Sequence, residues 1–234
     1  TSPITSSGKY AGGVLGQAQQ TKIEFNNSAK INLNIANIKA NQYAGGFAGS
    51  LENGGTINVN TQKVQLSPLM SIRGNSGLGG FSGIIVSTNL KGDYKPNFSD
   101  TDVITNKDNT PFFAGKINSD DKSSSAQYIG GIAGSVDNSS IEGFYVTPSL
   151  CGNRYVGGIA GSVNNTTVYN CAANCGVFNN GSYSEAYSLG GIIGYLSNNK
   201  ACNYENLVNY TSINDVGDGI GGIIGHADCS SNIT

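Results

Sequence analysis

One short glycine motif recurs along the whole chain and limits the folds that it can adopt. The motif is a pair of glycines, two further residues and a third glycine, as in Gly130-Gly-Ile-Ala-Gly134. Its seven copies begin at Gly12, Gly45, Gly79, Gly130, Gly157, Gly190 and Gly221. Successive copies are 27 to 34 residues apart, with one interval of 51. A repeat of this length is typical of proteins built from stacked structural units.

The segments between copies have the pattern of short strands joined by corners. Apolar residues alternate with polar ones at Ile31, Leu33 and Ile35, which places alternate side chains on one buried face. Clusters such as Asn53-Gly54 and Asn164-Asn165 follow the motif after three to five residues and predict corners with positive φ. We therefore expect an all-β chain, a β-solenoid (β-helix-like) of about seven coils, in which residues 1–234 form a single repeat domain of a longer, processed protein.

The glycines themselves need a physical reason, because glycine in a strand costs about 0.5–1 kcal/mol relative to alanine. Stacked coils would place the glycines at one position in every layer, where the backbone could bend or approach another wall without an intervening Cβ. The alternative is a phosphate-binding glycine loop, which requires a following helix and a lysine or acidic partner that the sequence lacks. The first interpretation predicts that valine at Gly131 or Gly158 destabilises the fold by overpacking.

Charge and hydropathy exclude two classes of partner. Only 12% of the residues are charged, the net charge is −2, and lysine and arginine do not cluster, so nucleic acid is not an expected partner. No apolar stretch reaches the roughly 18 residues of a membrane span. The glycine content and the low charge also argue against a protein of long helices.

One copy extends into a longer recognisable pattern. Val156-Gly-Gly-Ile-Ala-Gly-Ser-Val-Asn-Asn-Thr-Thr-Val-Tyr-Asn-Cys171, followed by Gly176-Val177, resembles the GLUG repeat. That repeat occurs in secreted and surface-attached microbial proteins, including adhesins and non-catalytic regions of immunoglobulin-cleaving peptidases. The resemblance implies an extracellular β-solenoid and carries no catalytic residues over to this chain.

The long interval between the third and fourth motifs predicts an insertion at about residues 84–127 that protrudes from the third coil. It is the most charged part of the chain, yet it also contains four aromatic residues: Tyr94, Phe98, Phe112 and Phe113. Insertions in solenoids leave the stack at a corner and often supply a recognition surface. These aromatic residues would form either a contact surface or an anchor that holds the insertion to the solenoid.

The five cysteines all lie between residues 151 and 229 and suggest bridges between coils. Cys171 and Cys202 lie at similar distances from their own glycine pairs, as do Cys151 and Cys175, so Cys171–Cys202 and Cys151–Cys175 are candidate disulfides. The alternative is a ladder of reduced, buried thiols. Cys229 has no evident partner. With His226 as the single histidine, we expect no metal site, no cofactor and no catalytic residues of a cysteine or serine hydrolase.

Asparagine sequons give the candidate modification sites, several of them at expected corners. They are Asn26, Asn97, Asn138, Asn164, Asn165, Asn180, Asn209 and Asn232.

These features together predict a non-enzymatic, extracellular or cell-surface repeat region that serves as an adhesin, a stalk or a filament component. Its partner would be a protein or glycan on another surface, or further copies of itself. One alternative is a carbohydrate-active or carbohydrate-binding β-helix, although Glu24, Glu52, Glu142, Glu185 and Glu205 fall at dissimilar distances from their glycine pairs. The other is an ice-binding solenoid, which would need a regular Thr-x-Thr ladder where only scattered residues such as Thr56 and Asn58 occur.

Overall fold

The computed structural model describes residues 2–25, 30–96, 111–119, 127–178, 186–198, 202–214 and 217–229. Within these ranges the regular secondary structure consists of β-strands. The strands are β1 (Ile4–Thr5), β2 (Tyr10–Gly12), β3 (Leu15–Gln19), β4 (Ile31–Leu33), β5 (Asn37–Lys39), β6 (Tyr43–Gly45), β7 (Ala48–Asn58), β8 (Val64–Leu66), β9 (Ser71–Gly74), β10 (Leu78–Gly79), β11 (Ser82–Lys91), β12 (Lys116–Ser119), β13 (Gln127–Gly130), β14 (Ala133–Asp137), β15 (Ser140–Glu142), β16 (Tyr145–Val146), β17 (Ser149–Cys151), β18 (Arg154–Gly157), β19 (Ala160–Asn164), β20 (Thr167–Ala173), β21 (Gly176–Phe178), β22 (Ala186–Gly190), β23 (Ile193–Asn198), β24 (Tyr204–Asn209), β25 (Ser212–Asn214), β26 (Gly217–Gly221) and β27 (Ile224–Cys229).

The strands form three large sheets and one small one, and the pairings between named strands are parallel. The glycine sheet is β2-β6-β10-β13-β18-β22-β26, the flanking sheet is β1-β5-β9-β12-β17-β21-β25, and the long sheet has eleven strands, including β7, β11, β20 and β27. Along the chain, a strand of the flanking sheet is followed by one of the glycine sheet and then by the long sheet, and this sequence repeats. Strands β4 and β8 make the small sheet. The all-β, parallel prediction is confirmed, and the arrangement is consistent with a β-solenoid.

The glycine motifs are in register across the whole glycine sheet. The first glycine of each pair lies opposite its counterparts: Gly12, Gly45, Gly79, Gly130, Gly157, Gly190 and Gly221. We call each glycine-sheet strand, with the long-sheet and flanking-sheet strands beside it in the chain, a rung.

Backbone packs directly against backbone at these positions. A Cβ on Gly131 would overlap the carbonyl oxygen of Gly158 in the next rung, and a Cβ on Gly158 would overlap that of Gly191. The third glycine of the motif faces the other way, because a Cβ on Gly161 would overlap the backbone of residues 128 and 129 in the preceding rung. Among the described residues, no atom lies within 4 Å of such a Cβ on Gly222, in the last rung.

Columns of apolar side chains fill the space between the sheets. The flanking sheet contributes one aliphatic residue per rung: Ile4, Ile38, Ile72, Ile117, Leu150, Val177 and Ile213. Five phenylalanines form a second column with ring centroids 4.8–5.8 Å apart: Phe25, Phe47, Phe81, Phe112 and Phe144. Such columns bury the face that a single rung would expose, so each rung depends on its neighbours.

The corners predicted after the motif have left-handed backbone. Asn53, Asn138 and Asn165 have φ angles of 53°, 47° and 45°. Asparagine tolerates this region better than most residues because its short side chain can hydrogen-bond locally. The predicted positive φ is therefore confirmed at Asn53 and Asn165, and Asn53 lies within strand β7 rather than between two strands.

A column of buried hydroxyls runs directly after these corners, and the sequence reading missed it. The amide of Gly54 donates to Thr88 Oγ1 (2.9 Å), the amide of Thr88 to Ser139 Oγ (3.0 Å), and the amide of Ser139 to Thr166 Oγ1 (3.1 Å). Each hydroxyl in turn donates to the carbonyl two residues earlier in the chain. The available signal was a Ser or Thr immediately after Ser87, Asn138 and Asn165, three residues with positive φ.

The predicted insertion at residues 84–127 was too broad. Strand β11 carries residues 84–91 along the long sheet, and β12 (Lys116–Ser119) belongs to the flanking sheet. Both segments are needed to complete their sheets, which is why they stay in the stack. Residues 97–110 and 120–126 lie outside the described ranges.

Alanine at an internal column glycine should destabilise the protein. We expect Gly158→Ala to lower the free energy of unfolding by about 1–3 kcal/mol, because the new Cβ has no room against Gly191. The matched control is Gly222→Ala, which should change it by no more than about 0.5 kcal/mol. Equal urea-unfolding midpoints for the two variants would contradict the close-packing role.

Removal of a buried hydroxyl should also destabilise the stack. Thr166→Val keeps the shape but leaves the Ser139 amide without its acceptor, which should cost about 1–3 kcal/mol. Thr21, which also follows a left-handed residue, is exposed in the first rung, so Thr21→Val serves as the control. Thermal melts and urea titrations of both variants measure the difference, and a Thr166→Val protein as stable as the control would refute the ladder's contribution.

Candidate functional site

Aromatic rings stack along the outside of the glycine sheet. The column lies two residues before each glycine pair and contains, in rung order, Tyr10, Tyr43, Gly77, Tyr128, Tyr155, Ser188 and Gly219. Tyr10 and Tyr43 stack with ring centroids 5.6 Å apart, and Lys9 Nζ lies 5.1 Å from the centre of the Tyr10 ring. Gly77 interrupts this first run.

The second run of rings is longer, and it begins on the glycine sheet and continues on the long sheet. The rings of Tyr128 and Tyr155 are stacked and nearly parallel, with centroids 5.3 Å apart. The next ring comes from the long sheet, where Tyr195 lies 4.8 Å from Tyr155 and 5.5 Å from His226. We call Tyr128, Tyr155, Tyr195 and His226 the aromatic row. Burial, with smaller contributions from neighbouring tyrosines, raises the pKa of Tyr128, so its hydroxyl stays neutral.

A groove of about 180 Å³ opens where the tyrosine column ends. Its lining residues are Arg154, Tyr155, Ser188, Tyr195 and His226. Ser188 shares its column with Tyr155, and both have positive φ, 61° and 49°. The small side chain of Ser188 therefore leaves space where the rung before has a ring. The sequence reading did not single out this groove, although the change from Tyr to Ser in the aligned motifs was a visible signal.

A small polar cluster lies on the outer face of the long sheet. Glu142 Oε2 accepts from Tyr169 OH at 2.6 Å and lies 3.1 Å from Lys91 Nζ. Partial burial opposes ionisation of Glu142, but the hydrogen bonds from Tyr169 and Lys91 outweigh it and lower the pKa of that carboxyl. The same hydrogen bond to Glu142 raises the pKa of Tyr169 to about 12.

The glutamates are better aligned than their sequence distances indicated. Glu142, Tyr169 and Glu205 occupy one column of the long sheet, with Tyr169 between the two glutamates, although their distances from the glycine pairs differ. Corners of different length between the motif and these strands shift the sequence distances. Glu142 does not suit the role of general acid in glycoside hydrolysis, since that role needs a raised carboxyl pKa and the pKa of Glu142 is lowered.

The predicted disulfides are not formed. Cys151, Cys171, Cys175 and Cys202 all lie outside any disulfide. Cys171 is in register with Leu207, five residues beyond Cys202, and Cys151 is in register with Phe178, three residues beyond Cys175. Distance from the glycine pair was a poor guide because the corners differ in length from rung to rung. The side chain of Cys229 lies outside the described part.

Two of these thiols are core residues, as in the alternative of a buried reduced ladder. Cys171 is fully buried and Cys175 is 3% exposed. Burial raises the pKa of each thiol to about 12, so both remain protonated near neutral pH. A protonated, buried thiol is a poor nucleophile and a poor metal ligand. Among the described residues, no three His, Cys, Asp or Glu side chains are grouped to hold a metal ion.

Of the four aromatic residues for which a contact surface or an anchor was predicted, Tyr94, Phe112 and Phe113 pack into the stack, as expected of an anchor. Phe112 and Phe113 are 2% and 0% exposed, so a surface role is wrong for both. Tyr94 is half-buried and stacks on Tyr145 at 5.7 Å, and its amide donates to the carbonyl of Gly143. Their apolar area is buried within the stack. Phe98 lies outside the described residues.

The candidate glycosylation sites differ in accessibility. Asn138 is exposed at a corner, whereas Asn164 and Asn165 are half-buried. The amide of Asn164 donates to Asp137 at 2.6 Å, and that of Asn209 to the carbonyl of Gly222 at 2.5 Å. Asn138 is thus the most accessible of these four acceptors. The remaining sequons, Asn26, Asn97, Asn180 and Asn232, lie outside the described ranges.

Comparisons with protein-family models, curated proteins and solved structures gave no match. The resemblance to the GLUG repeat therefore stays a prediction. In the ranges that the structure covers, no helix has the length and hydropathy needed to cross a membrane.

Alkylation should separate the buried from the accessible thiols. We expect iodoacetamide at pH 8 to modify Cys202 in the folded protein and to leave Cys171 and Cys175 unmodified, because burial keeps these two thiols protonated and inaccessible. In urea all three should react, and peptide mass spectrometry gives the extent at each site. Modification of Cys175 in the folded protein as fast as that of Cys202 would contradict its burial.

Proposed function

We propose that this chain is a non-catalytic repeat region of an extracellular or cell-surface protein, in which a solenoid of about seven coils acts as a stiff stalk that carries an adhesive surface. The single observation that carries the proposal is the register of the seven glycine motifs across one sheet. A stack of identical backbone contacts sets a constant spacing of about 4.8 Å per rung, or about 34 Å for seven.

The interior supports a mechanical role. Aliphatic and phenylalanine columns continue from rung to rung, and the hydroxyl column links neighbouring rungs by hydrogen bonds. In repeat architectures stability accumulates through contacts between neighbours, so length can change without loss of the fold. The secreted, surface-attached context that the GLUG resemblance implies fits such a spacer.

The two alternatives have weaker support. A carbohydrate-cleaving enzyme would need paired carboxylates in different protonation states, and the pKa of Glu142 is lowered rather than raised. An ice-binding face would need a regular threonine ladder, but Thr56 pairs with Asn89 and Asn58 pairs with Lys91. A lysine in the second column interrupts the uncharged surface that such a ladder requires.

Repeat duplication tests the stalk. A second copy of residues 131–157, inserted after Gly157, adds one motif interval and should extend the stack by about 4.8 Å. Small-angle scattering should give a larger maximum dimension, and the melting temperature should stay the same or rise because one more interface between rungs is formed.

The control carries a Gly/Ser segment of equal length at the same point. It cannot form a rung, so we expect a protruding loop and a melting temperature no higher than that of the parent. A duplicated protein that melts below this control would contradict the modular stack. New reducing ends after incubation with polysaccharides would contradict the non-catalytic role.

A further inference from the structure

The groove at the aromatic row results from substitutions at outward positions of an otherwise regular stack. In one rung the outward pair is Tyr155 and Ser162, and in the next it is Ser188 and Tyr195. The ring has moved from the glycine sheet to the long sheet, and its centroid lies 4.8 Å from that of Tyr155 with the two planes 46° apart. The vacated position has Ser188 as its floor, 5% exposed. In the next rung the same column has Gly219, which brings no side chain to that side of the groove.

The groove combines a cation with aromatic and hydroxyl groups. Arg154 supplies a guanidinium, whose five N–H donors can serve a neighbour and a ligand together. Guanidinium binds carboxylates in a bidentate geometry. Tyr155 and Tyr195 each lie between two other rings of the aromatic row, so they offer ring edges and hydroxyls, which suits a ligand with both C–H and polar groups. Asp218 shares the column of Arg154 but lies two strand spacings away, about 9.6 Å.

The size of the groove limits the ligand. At about 180 Å³ it is smaller than the roughly 300–1,000 Å³ of pockets that enclose drug-sized molecules. One sugar ring is of suitable size, and the groove is open to solvent, so the rest of a glycan could extend outward.

We propose that this groove binds an acidic sugar residue of a glycan, with Arg154 on the carboxylate and the Tyr155 and Tyr195 rings against the sugar. The inference rests on the adhesive part of the proposed function and names its ligand class. Ser188 is the specificity-determining position, because a larger side chain there would occupy the space for the sugar.

Binding of small probes tests the ligand class. The folded protein is titrated by NMR with methyl β-D-glucuronide, with methyl β-D-glucoside and with sodium acetate. We expect the glucuronide to bind at least about tenfold more tightly than either of the others, since only it offers both the carboxylate and the ring. Equal affinity for glucuronide and glucoside would overturn the role of Arg154, and acetate as strong as glucuronide would overturn the sugar.

Three variants locate the site. Arg154→Gln should remove the preference for glucuronide, whereas Arg73→Gln, at the only other arginine, should retain it. The double variant Ser188→Tyr with Tyr195→Ser recreates the Tyr155 and Ser162 arrangement of the preceding rung, so the fold has a precedent while the groove is filled. It should lose glucuronide binding at an unchanged melting temperature. A retained preference for glucuronide in Arg154→Gln, or retained glucuronide binding in the double variant, would refute the site.

These outcomes are separate from the test of the stalk. A rod that lengthens on duplication but binds no glucuronide would overturn the groove alone. A duplicated repeat that fails to stack would overturn the stalk, whatever the binding result.

Discussion

Direct contact between backbones at the glycine columns is the constraint on which the rest of the structure depends. The second glycine of a motif faces the next rung and the third faces the preceding one, as Gly158 and Gly161 illustrate. Any side chain there would separate the strands. A shift in register by one residue would bring side chains onto these positions and reverse the inward and outward faces of each strand. The glycines therefore set the register for all three large sheets.

The energetic balance favours this arrangement only because the rungs are stacked. Three glycines per motif cost about 1.5–3 kcal/mol relative to alanine. Full burial of one aliphatic side chain such as Ile129 or Val156 contributes about 1.5–3 kcal/mol, and each internal rung buries several. A rung alone would lose most of that burial. The hydroxyl column adds a polar link at the corners, where the backbone amides of Thr88 and Ser139 would otherwise be buried without an acceptor.

The outer positions are under weaker constraint, and the features relevant to recognition lie there. Inward residues must match their neighbours in the column. One outward position, in contrast, is occupied in successive rungs by Tyr128, Tyr155, Ser188 and Gly219 without disturbing the register. The groove beside Arg154 is a direct result of that freedom. A regular scaffold with variable outer side chains can present a binding surface without any change in its core, which is the relation between stalk and adhesive surface that we propose.

The sequence by itself determined the class of fold, because seven glycine motifs at nearly constant spacing and strands of period two leave few alternatives to a parallel stacked sheet. It also located the left-handed corners at Asn53 and Asn165, which depend on local backbone preference. Tertiary structure decided what lies next to what. Corners of unequal length shift the register of later strands, so Cys171 meets Leu207 rather than Cys202, and Glu142 shares a column with Glu205. Phe112 and Phe113 belong to the core, and Arg154 and Tyr195 line one groove. These outcomes depend on contacts between strands about thirty residues apart in the chain. Over that distance, sequence spacing no longer specifies which side chains are neighbours.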